Sequence, residues 1–405
     1  VNSVPIGITG VGAVTPLGND WSTISQRLLA GDSAVRRVTS FDVSQHPSQM
    51  AAQVTEIPVP SGYAADHFCR WPRQWQCALA TASAALRSAG WWEQRDRLRL
   101  GIVLGVGAEW QLAWEEDMSR GGNRILDPEQ DAENTVQFVR RELGIEGPVA
   151  TVSAACASGN YALHVASRWL QRGWVDVCLA GACDLTVTPM AMAGFGNLRA
   201  LSRRNEAPAS ASRPFDRGRD GFVIGEGAVV FVLERTPEAR RRGAPLLAER
   251  VAVGVRSEAY HMVIPSNDPT PAATAMRLAC REAGVDPTEL DYINAHATST
   301  PVGDVAEARV LRTVLGSALG KVPISATKSI TGHLVTAAAA FEALACLIAL
   351  KEQAIPPTIN LDDVDPECAD LCHVAHQAQS RRLRVVASNS FGFGGSNTCL
   401  VLRAA

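Results

Sequence analysis

Apolar, β-rich runs alternate with Ala-rich, helix-spaced segments along the whole chain, which limits it to architectures in which sheets are covered by helices. The clearest unit is a strand at 150–153, a helix at 157–171 and a second strand at 175–180, a β-α-β arrangement. Before it come a β-rich run at 4–9, helical spacing at 21–30 and 75–89, and a buried-strand run at 100–105. After a strand at 225–233 the pattern recurs: helix 270–283, strand 292–295, helix 305–315, strand 322–325 and helix 334–350. Two strands, 384–388 and 398–402, close the chain. No short repeat is visible, which disfavours solenoids and propellers. There is a coarse echo instead: strand, reactive-looking residue and Ala-rich helix occur around Cys156 and again around His333. The Arg- and Pro-rich stretch 235–245 is the candidate hinge between two halves, 1–250 and 251–405.

The 405 residues, 46% hydrophobic and 20% charged, can bury a large core, and at roughly 150 residues per domain they make two or three lobes. Lys plus Arg number 38 against 41 Asp plus Glu, so no global basic footprint for nucleic acid exists. The longest apolar stretch, 334–350, contains Thr336 and Glu342 and falls short of the about 20 residues of a membrane span. It reads as a buried helix. Residues 1–9 have neither a basic flank nor a long apolar segment, so no signal peptide is expected. Ten cysteines without a CxxC pair fit reduced thiols in a cytoplasmic protein rather than a disulfide framework or a zinc site.

Cys156 lies where a strand gives way to a helix, flanked by Ala154, Ala155, Ala157 and Ser158. The positive end of the helix dipole there favours thiolate, and small neighbours leave room for a substrate. The same residue could equally be a buried core cysteine. His296 follows a strand, and His333 opens the Ala-rich helix, where the dipole would keep its imidazole neutral. A cysteine with two histidines can be a nucleophile with acid/base or electrophilic partners; either histidine alone can also be a satisfied core or surface group. No third ligand at metal spacing is evident, so no metal is expected. Gly392-Phe393-Gly394-Gly395-Ser396 is a hairpin turn or a loop that brings a backbone N–H to a reacting carbonyl; no helix follows it, so it is no phosphate cradle. Papain-like signatures around the cysteine are missing, which sets a cysteine protease aside.

Taken together the segments resemble the β-ketoacyl-ACP synthases, where ACP is acyl carrier protein, nearest to the type II elongating condensing enzymes. The likeness spans nearly the whole chain. It includes Ile8-Thr9-Gly10-Val11-Gly12, the Cys156 segment, Arg213-Pro214-Phe215-Asp216-Arg217, 220–227, both histidine segments, 356–361 and 389–395. The resemblance implies a thiolase fold: α/β, two pseudo-symmetric halves in a five-layered α-β-α-β-α arrangement. By resemblance, Cys156 takes the acyl group from ACP as a thioester. His296 and His333 stabilise the enolate formed as malonyl-ACP loses carbon dioxide, and the backbone N–H groups of Cys156 and Phe393 hold the oxyanion. Lys328 and Glu342 organise the histidines, Thr298 and Thr300 contact the phosphopantetheine arm, and Phe393 also gates the cysteine. The substrates ride on that arm, so no dissociable cofactor is implied. Acidic ACP would dock on Arg203 and Arg204, with Arg73 in a second, weaker cluster. A homodimer is implied, and a heterodimer with a ketosynthase-like subunit is the alternative.

Four departures from the family pattern bear on specificity. Ala297 stands where Gly is usual after the histidine, and Leu334-Val335-Thr336 replaces a Gly-containing stretch. Ala108 replaces a bulky apolar gate in the segment that lines the acyl pocket, followed by Glu109 and Trp110 instead of glycines. A small Ala108 would open that pocket, whereas Trp110 or Trp114 would close it further down. Val263 stands where Thr is common. These changes favour an unusual acyl chain in a specialised fatty-acid or polyketide pathway. Two other functions remain beside condensation: a ketosynthase-like acyltransferase that does not extend the chain, and a partner subunit of a ketosynthase heterodimer. The latter generally lacks the cysteine that this chain retains.

Overall fold

The computed structural model describes residues 4–122 and 133–405. Two sheets organise them. The first comprises β1 (Ile6–Val14), β2 (Leu100–Val106), β3 (Val149–Val152), β4 (Val177–Asp184) and β5 (Gly227–Arg235), in the order β1-β5-β4-β2-β3. β5 runs antiparallel to both neighbours, and the β4-β2-β3 side is parallel. The second comprises β6 (Arg250–Ser257), β7 (Tyr292–Asn294), β8 (Pro323–Ser325), β9 (Cys372–His373), β10 (Val385–Gly392) and β11 (Ser396–Arg403). Its order, β6-β11-β10-β7-β8 with β9 added at the edge, repeats the first strand for strand. The antiparallel and parallel pairs repeat as well.

Helices complete the layers. α1 (Arg73–Ser88) packs on β1, β5 and β4, while α3 (Thr270–Ala283) packs on β6 and β11, with α4 (Pro301–Leu315) against α3. Between the sheets lie α2 (Ser158–Gln171), which touches β4, β2 and β6, and α5 (Ala338–Glu352), which touches β10 and β5. That central position explains the composition of α5. It is buried from Ala338 to Leu350 on every side, so no polar face is needed, and its alanines let other layers approach. α2 and α5 meet closely at Gly159, where a Cβ would lie 2.5 Å from the Ala340 nitrogen. The result is the five-layered α-β-α-β-α arrangement.

The α5 region departs from the sequence expectation at its start. The helix begins at Ala338, after a single tight turn at Val335–Ala337, and His333 lies outside both. Gly332 at φ +63° and Val335 at φ +45° break the helical geometry in between. The 235–245 stretch forms a short helix, Thr236–Arg241, tied down by Arg235 to Asp176 and Arg242 to Glu234. No helix among the described residues is long and apolar enough to cross a membrane.

Candidate active site

Cys156 sits in a tight turn, Ala155–Ala157, between β3 and the start of α2. Ala155 has φ +47°, and the turn is held by Ser158, whose hydroxyl accepts from the Ala154 N–H (2.9 Å) and donates to the Ala155 carbonyl (2.7 Å). The end of β10 passes so close that a Cβ on Gly392 would lie 2.5 Å from the Ala154 oxygen. Glycine there lets the next residue, Phe393, point its backbone N–H at the Cys156 sulfur.

The two histidines converge from the other half. His333 Nε2 lies 3.0 Å from Cys156 Sγ, and the His296 and His333 ring centroids are 5.6 Å apart. His333 is not at a helix N-terminus: its N–H donates to the Val223 carbonyl (2.7 Å), which anchors an extended segment beside Ile224. Its imidazole is still held well below the usual range, by burial first and by the Lys328 charge second, so the neutral ring has a different cause from a dipole. His333 Nδ1 has no hydrogen-bond partner among the described residues. An unpaired buried lone pair is more tolerable than an unpaired buried N–H, which favours the proton on Nε2.

Lys328, buried at the start of the short helix Lys328–Thr331, organises the second ring. Its ammonium donates to the His296 carbonyl (2.6 Å) and lies 3.3 Å from His296 Nδ1. An ammonium has no lone pair, so Nδ1 accepts and the His296 proton resides on Nε2. Burial, then Lys328, then His333 keep this imidazole neutral too. Lys328 also pairs with Glu342 of α5, whose other oxygen accepts from Ser390 Oγ (3.0 Å). Burial pushes the Glu342 carboxyl up to about 7, against the opposing pull of Lys328.

The dipole argument for Cys156 also gives way to burial. Desolvation raises its thiol to about 11, and the Lys328 charge and the Phe393 N–H only partly offset it. The resting pair is therefore a neutral thiol beside a neutral imidazole.

A residue absent from the sequence reading completes the scaffold. Glu307 of α4 accepts from the N–H groups of His296 (3.0 Å) and Ala297 (2.7 Å) and from Asn389 Nδ2 (3.1 Å). An acidic side chain among Val305, Ala308 and Val310 on a helix was the available signal. The Ala297 methyl is buried in the core cluster that contains Ala295 and Val305, so this departure from Gly is absorbed by packing.

A cavity of about 470 Å³ opens from Cys156 to the surface. Thr298 and Thr300 line it with their hydroxyls 3.1 Å apart, and Thr300 also caps α4 by accepting from the Gly303 N–H. Phe393 and Val263 line it as well, as does Arg199. Ala108 and Trp110 do not. Trp110 is 57% exposed and packs edge-on against Trp114, so it stands on the surface rather than in the path of a chain from Cys156. Glu109 is turned inward, accepting from the Thr135 N–H (2.5 Å) and Trp75 Nε1. Arg203 and Arg204 are exposed, with Arg204 donating to the Gly218 carbonyl (2.6 Å). Arg73 is exposed as well, while its guanidinium donates to the Val54 carbonyl (3.0 Å) and pairs with the buried Glu226 (3.2 Å). Among the described residues no cluster of His, Cys, Asp and Glu could hold a metal ion.

Residues 3–239 match the family described as Beta-ketoacyl synthase, N-terminal domain, and 247–362 match its C-terminal domain. The chain belongs to the β-ketoacyl synthase family. It is 37% identical to the 3-oxoacyl-ACP synthase 2 of Coxiella burnetii, over 98% of this chain and 97% of that protein. The same figures hold for the protein of that name from Vibrio harveyi. A β-ketoacyl synthase from Burkholderia phymatum superposes with a TM-score of 0.90 at 34% identity, covering 99% of each chain. The ishigamide ketosynthase/chain length factor superposes at 0.88 with 31% identity over the whole of both chains. A ketosynthase solved with its type II polyketide acyl carrier protein and a hexaketide gives 0.89 at 29%. The fold is thus the thiolase fold of the ketosynthases, and the chain is an acyltransferase of the condensing class.

Proposed function

We propose that this β-ketoacyl synthase joins an acyl group held on Cys156 to malonyl-ACP by decarboxylative Claisen condensation. The observation that carries the residue assignment is the convergence of His333 Nε2 and the Phe393 N–H on the Cys156 sulfur, with His296 beside them. Attack of Cys156 on an acyl-ACP forms the acyl–sulfur bond, and the thiol proton ends on the departing phosphopantetheine sulfur. Malonyl-ACP then enters along Thr298 and Thr300. Its carboxylate leaves as carbon dioxide, and the electron pair passes to the thioester enolate, whose oxygen accepts from Nε2–H of His296 and His333. The enolate carbon attacks the Cys156 thioester, and the backbone N–H groups of Cys156 and Phe393 hold the resulting oxyanion. The carbon–sulfur bond then breaks, its electron pair leaving on Cys156 as a thiolate that takes up a proton from water. Each such donor is worth about 2.7–4 kcal/mol in the transition state. Lys328, Glu342 and Glu307 position the histidines. No dissociable cofactor enters this sequence of steps.

In this reading, half 1–250 supplies the nucleophile and half 251–405 the histidines, in a cytoplasmic protein. Arg203 and Arg204 meet acidic ACP, and the exposed Trp110, Trp114 and Met118 meet a second copy of the chain or a ketosynthase-like partner. The retained Cys156 and the paired histidines favour condensation over a non-extending acyltransferase or an inactive subunit. The Val263 and Val335 departures, which line the cavity, favour a specialised acyl chain, and likeness to a type II polyketide ketosynthase supports it. A panel of acyl-ACPs with malonyl-ACP tests this point. Aryl, polyene or polyketide chains should outcompete plain saturated ones by about tenfold or more in kcat/KM, the discrimination a shaped pocket supplies. A strong preference for plain saturated medium-length chains would remove the specialised pathway.

A further inference from the structure

The turn that carries Cys156 has a counterpart in the other half. Ala155–Ala157 is a tight turn leading into α2, with φ +47° at Ala155; Val335–Ala337 is a tight turn leading into α5, with φ +45° at Val335. Thr336 therefore stands where Cys156 stands. Each turn is met by the end of the middle strand of the opposite half. Phe393, just past β10, approaches Cys156, and Asp184, the last residue of β4, approaches Thr336.

At this second position the contact is a tether. Asp184 is fully buried, and its Oδ2 accepts from the Thr336 N–H at 2.9 Å. The Thr336 hydroxyl bonds to the same carboxyl, while Thr186 satisfies it through its N–H (3.1 Å) and its hydroxyl. Gly107 is pressed against it so closely that a Cβ would lie 2.0 Å from Oδ2. Nothing in the reaction sequence above uses this carboxyl.

Its position explains what it does. Only Leu334 and Val335 separate Thr336 from His333. A β-branched residue at positive φ is strained and persists only where both flanks are fixed. One flank is fixed by the His333 N–H on the Val223 carbonyl and by the Gly225 N–H on the His333 carbonyl. Asp184 fixes the other.

We infer that Asp184 is a positioning residue: through the Thr336 N–H it holds the strained Val335 turn and so sets where His333 presents Nε2 to the enolate. The inference rests on the condensing reading. Cys156 and the Phe393 N–H belong to other segments, so loss of the tether should act on the malonyl-dependent step and spare acylation.

Single-turnover intact-mass kinetics separate the two steps: acylation of Cys156 by acyl-ACP, then malonyl-ACP-dependent loss of that acyl group. Asp184→Ala should slow the second step by about tenfold or more, the scale of a misplaced catalytic group, and change the first by less than about threefold. Asp184→Asn keeps an oxygen for the Thr336 N–H and should stay within about threefold of wild type in both. Equal losses in both steps, no loss in either, or an Asn variant as slow as the Ala variant would overturn the tether. If the Ala variant does not fold, Thr336→Val, which removes only the hydroxyl bond, should show the same selective loss at about threefold; an unselective change there would also overturn it. Wild-type protein that is never acylated would overturn the condensing reading itself.

Discussion

Cys156 shows how two effects at one residue are decided by magnitude. A thiol at the head of a helix gains from the dipole, an effect of about 0.3–1 kcal/mol at an ordinary helix end. Burying the charged form costs more, and the thiol rises to about 11. The sign follows directly: desolvation penalises the thiolate, so the protein stores a thiol at neutral pH and reactivity must grow as the proton is removed. Alkylation of Cys156 by iodoacetamide should therefore climb steadily from pH 6 to pH 9, about tenfold per pH unit, without levelling. A plateau near pH 7 would mean a stored thiolate. Cys156, His296 and His333 were legible as candidates because each lies in a distinctive local segment, whereas Lys328 and Glu342 came only through the resemblance; the structure brings the five side chains together. It misplaced the reason His333 is neutral, since burial among three elements leaves no mark on the residues beside it. Glu307 and Asp184 were missed for a related reason. Each accepts from backbone N–H groups of another element, nearby in sequence for Glu307 and far off for Asp184, and a single carboxylate in an apolar run does not name its partner.

At the scale of elements, helices were read closely where a local signal marks their ends and less closely where tertiary contacts set them. The expected helix at 270–283 coincides with α3, because Gly284 at φ +72° stops it. The expected helix at 334–350 starts four residues late, because an Ala- and Leu-rich sequence conceals the turn that the tertiary contacts impose at Val335. The central pair α2 and α5 has its own consequence. At Gly159 a methyl would press on the Ala340 backbone, which cannot swing aside as a flexible side chain would. Gly159→Ala should accordingly lower the unfolding free energy by about 1–3 kcal/mol despite the better helix propensity of Ala, as measured by urea denaturation. A variant equal to or more stable than wild type would show that the two helices can separate freely.

For the whole molecule, the repeated strand order β1-β5-β4-β2-β3 and β6-β11-β10-β7-β8 places two equivalent turns face to face across the central layer. One carries Cys156, the proposed nucleophile, and the other carries Thr336, whose N–H donates to Asp184. The alternation of segments made the α/β class legible, and the echo around Cys156 and His333 hinted at the duplication. Strand order itself was not legible, because pairing between strands hundreds of residues apart depends on packing that no local pattern encodes. Likewise Trp110 belongs to a surface that local composition could not separate from a pocket wall. The central claim, a covalent acyl-enzyme on Cys156 consumed by carbon–carbon bond formation, is tested most directly by intact mass. Purified protein would be loaded with acyl-ACP and then given malonyl-ACP. An acyl adduct on Cys156 that disappears as β-ketoacyl-ACP forms, and that is absent in Cys156→Ala, is the expected result. An adduct that persists or is hydrolysed without any malonyl-dependent extended product would contradict the account.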